Sequence, residues 1–299
     1  MTGFLNRMAT RRWLHAKAEA LRFRYLPGIA NRLLDWTTRQ ACRALADDCP
    51  QILVDSNVLH HAVTHETIWI DTEPKMFGGV LQEGMGYMAR VPIHRRKSEV
   101  AEYSEIQFLP GIAHLYRRNR LALCTSAELI AERESHPPTR FRATGMYDHS
   151  LFGREELESV DGDHWDGLIL STFSVTETPR KAQQERLSAS KDPLYLALLK
   201  VLGPTNSQDA WHIRTAEVHG MMCFLTMDKS LVRAMKAQAR NPVIRSLKTR
   251  VMTPSELGSH LGILPFPPIL LSYTDASYPV RADLTQSGEK RRAAKPPKQ

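Results

Sequence analysis

The sequence predicts an α/β domain built around a mainly parallel sheet. Short apolar runs that end in a turn alternate along the chain with segments of helical periodicity. This alternation is typical of parallel strands joined by crossover helices. Acidic residues follow several of the apolar runs, and open α/β sheets place their sites at the carboxyl ends of strands. The same pattern therefore predicts a fold class and the edge of the sheet where a site is expected.

Four apolar runs are predicted to be strands of this sheet. The first lies between Pro50 and an Asp-Ser-Asn turn. In chain order the predicted strands are Gln51 to Val54, Leu121 to Cys124, Met222 to Thr226 and Thr249 to Met252. Helical patterns cover 98–120, the residues after Ser126, 192–202, 209–219, 229–240 and a segment that begins at Thr253. The last of these opens as Thr-Pro-Ser-Glu, which predicts a capping box with proline at the first helical position.

Composition divides the chain into three parts. Residues 1–48 are basic and helix-forming, and we expect a helical N-terminal extension. Residues 49–265 hold the α/β domain, with predicted insertions near 60–98, where glycines and β-like runs favour a hairpin, and near 135–190, which is rich in Pro, Gly and charge. Residues 266–299 are rich in Pro, Lys and Arg, which predicts a largely disordered tail.

The charge of the chain favours polyanionic partners. A net charge of +8 and a pI near 9.4 point to nucleic acid, and RNA is the partner we expect. For the basic N-terminal extension three interpretations stay open: an RNA-binding arm, a helix on a partner or membrane surface, or a solvated helix packed on the domain. The four cysteines show no C-x-x-C spacing, and no apolar run approaches the roughly 20 residues of a membrane span. We therefore expect a reduced, cytoplasmic protein without a span.

Four carboxylates occupy positions that favour a metal site. Asp55 and Asp228 follow predicted strands, Asp209 opens a predicted helix, and Glu132 lies on the helix after the second strand. Clustered carboxylates repel one another, and hard divalent cations with oxygen ligands relieve that repulsion. Taken singly, each acid could be a helix cap or a solvated charge, so the hypothesis depends on their order along the chain.

Histidines near the first strand invite a zinc interpretation. His60, His61 and His65 are close in sequence, but adjacent histidines point to different faces of a helix. A packing or surface role is the better prediction for them. His212 comes three residues after Asp209 and could face the site, although the edge of the core is its expected position.

Two segments resemble the signatures of PIN-domain nucleases. Residues 52–59 read Ile-Leu-Val-Asp-Ser-Asn-Val-Leu, which is similar to the family's hydrophobic-Asp-Ser/Thr-Asn-hydrophobic opening. Residues 209–231 resemble its later half, where Asp starts a helix and Thr-x-Asp follows a strand. Residues 251–257 look like its final strand and helix. The resemblance covers discontinuous pieces of the chain, and the order of the pieces makes it specific.

The resemblance implies a three-layer α/β/α PIN-like fold and a ribonuclease that depends on Mg²⁺ or Mn²⁺. By position, Asp55, Asp209 and Asp228 match the family's metal-binding acids, and Thr226 matches its accessory hydroxyl. The family's glutamate lies about two helical turns after the second strand, which favours Glu132 and leaves Glu128 as the alternative.

The resemblance also implies roles around these acids and a set of partners. Ser56 would fix the carboxylate of Asp55 by a hydrogen bond, while Asn57 more simply ties the strand–helix turn together. Some family members are toxins of toxin–antitoxin pairs, so an antitoxin-like protein inhibitor and a homodimer are further expectations. The alternative function is a non-catalytic PIN-like module for nucleic-acid binding or assembly. A haloacid-dehalogenase-type phosphatase is disfavoured, because its second Asp would stand where this chain has Asn57.

Overall fold

The computed structural model describes residues 2–46, 48–72, 74–94, 102–135, 149–153, 157–162, 178–276 and 280. Much of the predicted insertion near 135–190 and most of the predicted tail lie outside the described residues.

A five-stranded parallel sheet forms the centre of the protein. Its strands, in the order in which they lie across the sheet, are β10 (Arg250–Met252), β9 (Cys223–Leu225), β1 (Gln51–Val54), β6 (Ala122–Thr125) and β8 (Glu158–Ser159). Every pairing in this sheet is parallel. From β1 the chain continues to β6, which lies beside β1 on one side. Later it continues to β9, which lies beside β1 on the other side. The switch point between β1 and β9 is the place where ligand crevices form in open α/β sheets.

Side chains from the strands enter two separate apolar clusters. Ile52 and Val54 of β1 lie in one cluster, and Leu53 lies in the other. Successive residues of a strand point to opposite faces of the sheet, so both faces of β1 are covered. The predicted α/β class with a mainly parallel sheet is confirmed. The short, continuous apolar runs of the sequence follow from this burial on both faces.

Helices occupy the connections between the strands and pack on the sheet. In chain order they are α1 (Thr2–Thr37), α2 (Arg39–Ala44), α3 (Ser56–His61), α4 (Tyr103–Ile106), α5 (Leu109–Arg117), α6 (Ala127–Ser135), α7 (Thr178–Ala189), α8 (Pro193–Leu202), α9 (Ser207–Val218), α10 (Lys229–Ala237), α11 (Pro242–Ser246) and α12 (Pro254–Leu261). The capping box predicted for α12 is present, because Thr253 accepts from the backbone N–H of Glu256 and Glu256 accepts from that of Thr253. The helical pattern predicted for 98–120 contains two helices, α4 and α5.

A second, antiparallel sheet follows the first strand, in the predicted insertion near 60–98. It consists of β2 (Val63–Asp71) paired with β5 (Gly86–Pro92) and β7 (His149–Ser150). Between β2 and β5 the chain forms a short two-stranded ribbon, β3 (Lys75–Phe77) and β4 (Val80–Gln82). This ribbon carries exposed apolar side chains, including Met76 and Val80.

The described residues of the predicted 135–190 insertion contribute to the central structure. β8 is the edge strand of the parallel sheet, and α7 packs against α6 and places Leu187 in a core cluster. The sequence of α7 is strongly polar, so its buried face is too narrow to produce a clear helical period. This is why the pattern predicted an irregular segment there.

The prediction of a largely disordered tail from 266 is wrong for residues 266–276. Phe266, Leu271 and Tyr273 are buried, and Pro268–Leu271 form a 3-10 helix against α1. Tyr273 donates a hydrogen bond to Glu19 of α1 and meets Phe23 edge to face at 6.4 Å. The prolines suggested an unstructured segment, but they start a short apolar turn that covers the N-terminal helix.

The long helix α1 packs through only part of its length. Ala30 and Leu34 are fully buried against the domain, whereas the side chains described toward the N-terminus are mostly exposed. No helix among the described residues is both long and apolar enough to cross a membrane.

Candidate active site

The predicted site lies at the carboxyl end of the central sheet, where β1 and β9 run side by side. Val54 is in register with Leu225, so the residues that follow them, Asp55 and Thr226, are neighbours. The backbone N–H of Asp55 donates to the carbonyl of Leu225 at 3.0 Å. The Thr226 hydroxyl donates to Oδ2 of Asp55 at 2.6 Å, and both side chains are buried. This pair occupies the switch point of the sheet.

Asp55 is also the N-cap of α3. Its Oδ1 accepts from the backbone N–H of Asn57 at 3.4 Å and from the Ser56 hydroxyl at 3.3 Å. The Asn57 side chain approaches Oδ2 at 3.5 Å. Burial raises the pKa of Asp55, the hydrogen bond from Thr226 opposes this effect, and the carboxylate of Glu132 adds to it. Ser56 and Asn57 therefore both donate hydrogen bonds to the carboxylate of Asp55.

Asp228 is fixed by the start of α10. Its Oδ1 accepts from the backbone N–H groups of Ser230 and Leu231 at 2.7 and 3.1 Å and from the Ser230 hydroxyl at 2.6 Å. Its own N–H donates to the Thr226 hydroxyl at 3.0 Å, so Thr226 connects Asp228 with Asp55. Burial opposes ionisation of Asp228, but these donors outweigh it and lower its pKa. Asp228 is thus the N-cap of α10 and is linked to Asp55 through Thr226.

Asp209 lies in the first turn of α9, which begins two residues earlier than predicted. Burial, followed by repulsion from Asp228, Asp55 and Glu132, raises the pKa of Asp209 to about 6, although His212 acts in the opposite direction. The structure therefore brings the carboxylate of Asp209 into the electrostatic range of the three other acids.

Glu132 and His212 meet at the same place from two helices. Nε2 of His212 lies 3.4 Å from Oε2 of Glu132, close enough for an ion pair but without the alignment of a hydrogen bond. The imidazole of His212 is buried and lies against the ring of Phe224 at 5.8 Å. Burial alone would lower the pKa of His212, but the carboxylates of Glu132, Asp55 and Asp209 raise it above its ordinary value. His212 therefore belongs to the site, although the sequence favoured the edge of the core.

Glu128, the alternative to Glu132, is engaged elsewhere. Its two carboxylate oxygens accept from Nε and Nη2 of Arg186 on α7 at 2.8 and 2.9 Å. Gln183 of the same helix donates to the Glu128 carbonyl at 3.3 Å. The side chain of Glu128 is almost fully buried in this contact between α6 and α7. The charge of Glu132 acts on both Asp55 and Asp209 and raises the pKa of each.

Two acidic residues outside the predicted site stabilise its border. Asp161 accepts from the backbone N–H of Ala127 at 2.7 Å, so it caps α6, the helix that carries Glu132. Glu105 is buried, accepts from the N–H of Ser255 at 2.9 Å and pairs with Nζ of Lys229 at 3.2 Å. It thereby joins the starts of α10 and α12. Neither contact has a local sequence signal, because each joins segments that are far apart in the chain.

The donor chemistry of the cluster suits a hard cation, but the side chains do not form a complete ligand set. Carboxylate oxygens are the ligands that Mg²⁺ and Mn²⁺ prefer, and a cation would relieve the repulsion that raises the pKa of Asp209. Within the described part of the chain, however, no three His, Cys, Asp or Glu side chains are arranged as a group that could hold a metal ion. Asp55 instead accepts a hydrogen bond from Thr226, and Asp228 accepts hydrogen bonds from the backbone at the start of α10.

The three histidines near β1 do not join this site. His65 is buried between the hydroxyls of Thr64 and Ser272, at 2.9 and 3.0 Å from its two ring nitrogens. His60 and His61 stack edge to face at 5.1 Å, beside His94. The described contacts of His65 are those of a packed, hydrogen-bonded core histidine.

Comparison of the chain with known proteins gives no match to a family model, to a curated protein or to a solved structure.

Proposed function

We propose that this chain is a PIN-like endoribonuclease that depends on Mg²⁺ or Mn²⁺ and hydrolyses RNA phosphodiester bonds. One observation carries the proposal: Asp55, Glu132, Asp209 and Asp228 act on one another electrostatically at the switch point of a parallel sheet. Burial, together with repulsion from the other three acids, raises the pKa of Asp209 to about 6, which is unfavourable for folding at neutral pH. Strongly perturbed carboxylates in such a position are typical of functional sites.

Each acid has a distinct part in this proposal. Asp55 would be the central ligand, because it lies between the two inner strands and is oriented by Thr226 and Ser56. Asp209 and Asp228 would hold the cation from the starts of two helices, and Glu132 would hold it or orient the attacking water. When bound, a divalent ion neutralises charge on the scissile phosphate and lowers the pKa of a water molecule. His212 supports Glu132 from the buried side of the cluster.

The charge of the whole chain supports a polyanionic substrate. The net charge of +8 would bring the phosphate backbone to the protein in a salt-dependent and sequence-independent way. This is compatible with cleavage of single-stranded RNA.

The proposal is tested with the purified full chain and a labelled single-stranded RNA. We expect cleavage with Mn²⁺ or Mg²⁺, none with EDTA, and a loss of at least about 100-fold in Asp55→Asn, the size of effect typical for removal of a central electrostatic group. Asp71→Asn, which changes a carboxylate on β2, is the matched control and should cleave normally. Cleavage in EDTA, or an active Asp55→Asn protein, would contradict the proposal.

A second candidate is a non-catalytic PIN-like module for nucleic-acid binding or assembly. It is favoured by His212, whose buried ring lies 3.4 Å from Glu132 among the acids, and by the missing ligand geometry within the described residues. Calorimetric titration with Mn²⁺ separates the two candidates. Tight binding that is lost in Asp209→Ala supports the nuclease, whereas no binding to a folded wild-type protein supports the module.

A further inference from the structure

Helix α1 has two apolar faces, and the body of the protein covers only one. Ala30 and Leu34 form the buried face. On the other side lies an outer stripe of large side chains that are between 52 and 63% exposed: Leu14, Leu21, Tyr25, Ile29 and Trp36. An α-helix turns by about 100° per residue, which places these five side chains within an arc of about 80°, opposite the buried face. Within the described residues no other part of the protein covers these five side chains.

The charges beside the outer stripe are basic. The helix contains two acids, and the body of the protein binds both. Glu19 accepts from Tyr273, and Asp35 accepts from Arg118 and from His114. The exposed cations left on α1 beside the stripe are Lys17, Arg24 and Arg32. The surface is therefore apolar along its centre and positive around it, which requires an occupant that is apolar and anionic.

These two properties select among the possible occupants. Single-stranded RNA is anionic and stacks on aromatic rings, but it would leave the aliphatic Leu14, Leu21 and Ile29 uncovered. A second copy would bring two basic helices together, and the chain's own end from 288 onward is also rich in Lys and Arg. An anionic lipid surface matches both the aliphatic residues and the charge.

The spacing of the stripe adds a geometric argument. Leu14, Tyr25 and Trp36 recur at intervals of 11 residues, which brings each back to the same side of an α-helix within about 20°. Left-handed coiled coils need a seven-residue repeat, which this stripe does not keep. Pro27 lies inside the helix, between Tyr25 and Trp36, so the stripe has one part before this proline and one after it.

We propose that α1 lies along the surface of an anionic lipid bilayer. The outer stripe enters the boundary between headgroups and acyl chains, and Lys17, Arg24 and Arg32 contact anionic headgroups while their alkyl chains remain against the apolar layer. The inference is independent of the proposed nuclease function, because no residue of the acid cluster takes part in it.

The test is co-sedimentation of the full chain with vesicles of phosphatidylcholine alone and of phosphatidylcholine with phosphatidylglycerol at a ratio of about 3:1. We expect binding to the anionic vesicles, weakening with salt, and little binding to the neutral ones. The double variant Leu21→Glu/Ile29→Glu should lower the binding constant at least tenfold. The matched control Leu196→Glu/Val218→Glu changes two side chains that are 47 and 55% exposed on other helices and should bind as the wild type does.

Three results would overturn the inference. The first is a folded wild-type chain that does not bind anionic vesicles, whatever its RNA binding. The second is an equal loss of binding in the control variant. The third is a wild-type dimer in sedimentation velocity that Leu21→Glu/Ile29→Glu converts to a monomer, since the stripe would then serve a second copy. Circular dichroism confirms that each variant is folded before its binding is compared.

Discussion

Asp55 and Thr226 are 171 residues apart in the chain, yet the hydroxyl of Thr226 donates to the carboxylate of Asp55 at 2.6 Å. The same hydroxyl accepts from the backbone N–H of Asp228 at 3.0 Å. One buried side chain thus orients one acid and fixes the turn that carries another. Thr226 is for this reason the connection on which the geometry of the site depends.

Thr226→Val keeps the shape of the side chain and removes its hydroxyl. Asp55 then loses its shortest hydrogen bond in a buried position, and we expect the free energy of unfolding to fall by about 1–3 kcal/mol. Thr226→Ser keeps the hydroxyl and should lose less. Urea denaturation measures both. Thr215→Val is the matched control, because the buried hydroxyl of Thr215 has no partner among the described residues, so its removal should be neutral or stabilising.

Asp209→Asn should stabilise the metal-free protein above pH 6. The pKa of Asp209 in the fold is about 6 and lies above its ordinary value of 3.8. Ionisation of this carboxylate therefore lowers the free energy of unfolding as pH rises through that range. With a discount for partial exposure, we expect a gain of about 1–2 kcal/mol at pH 8 and little change at pH 4. The measurement is urea denaturation in EDTA at both pH values.

Asp192→Asn is the control for the sign of this effect. Donors from Arg214 and the backbone lower the pKa of Asp192, despite burial, so this variant should be less stable than the wild type at pH 8. If Asp209→Asn also loses stability at pH 8, the repulsion inferred among the four acids is not present.

Glu128→Gln and Glu132→Gln should separate stability from function. Glu128→Gln breaks the charged pair with Arg186 between α6 and α7, and we expect a loss of about 1.5–3 kcal/mol in unfolding free energy with Mn²⁺ binding retained. Glu132→Gln removes a repelled charge, so its stability should change little while Mn²⁺ affinity and RNA cleavage fall. The two variants differ by one helical turn. An exchange of these phenotypes would assign the ligand role to Glu128.

The antiparallel sheet should open first at acidic pH. Burial lowers the pKa of His94 to about 4, that of His149 to about 3, and that of His65 well below its ordinary value of 6.5. A histidine whose pKa is lower in the fold is stabilising while neutral, and this stabilisation is complete above pH 6.5 and lost as pH falls toward 4. Hydrogen exchange at pH 7.5 and pH 5 should show less protection in β2 and β5 at the lower pH.

His149→Asn should reduce this pH dependence, and His260→Asn, which changes an exposed histidine on α12, should leave it unchanged. Equal protection of β2 and β5 at both pH values would contradict the prediction.

The strands of the central sheet could be predicted because each is a short apolar run that ends in a turn. The predicted 51–54, 121–124, 222–226 and 249–252 agree closely with β1, β6, β9 and β10. β8 could not be predicted, because it has two residues and pairs only with the end of β6. The order of the strands also has no local signal, although the alternation of strands and helices gave their parallel direction.

The site was predictable where it depends on strand ends and unpredictable where it depends on packing between helices. Asp55 and Thr226 follow paired strands, so their proximity follows from a parallel sheet. The choice between Glu128 and Glu132 depends on how α6 is rotated against α7, and Arg186 decides it from a segment with no clear pattern. The place of His212 likewise depends on the approach of Glu132 from another helix.

The contact of α1 with the segment around Tyr273 has a consequence for the order of synthesis. Glu19 and Tyr273 are 254 residues apart, so α1 meets this partner only after the long stretch of chain between them has been made. Until then the apolar groups that meet in this contact, Phe23 and Tyr273, are exposed to water and to other chains. In a chain that ends before residue 266, the contact between α1 and the segment around Tyr273 cannot form. We expect such a chain to aggregate during expression.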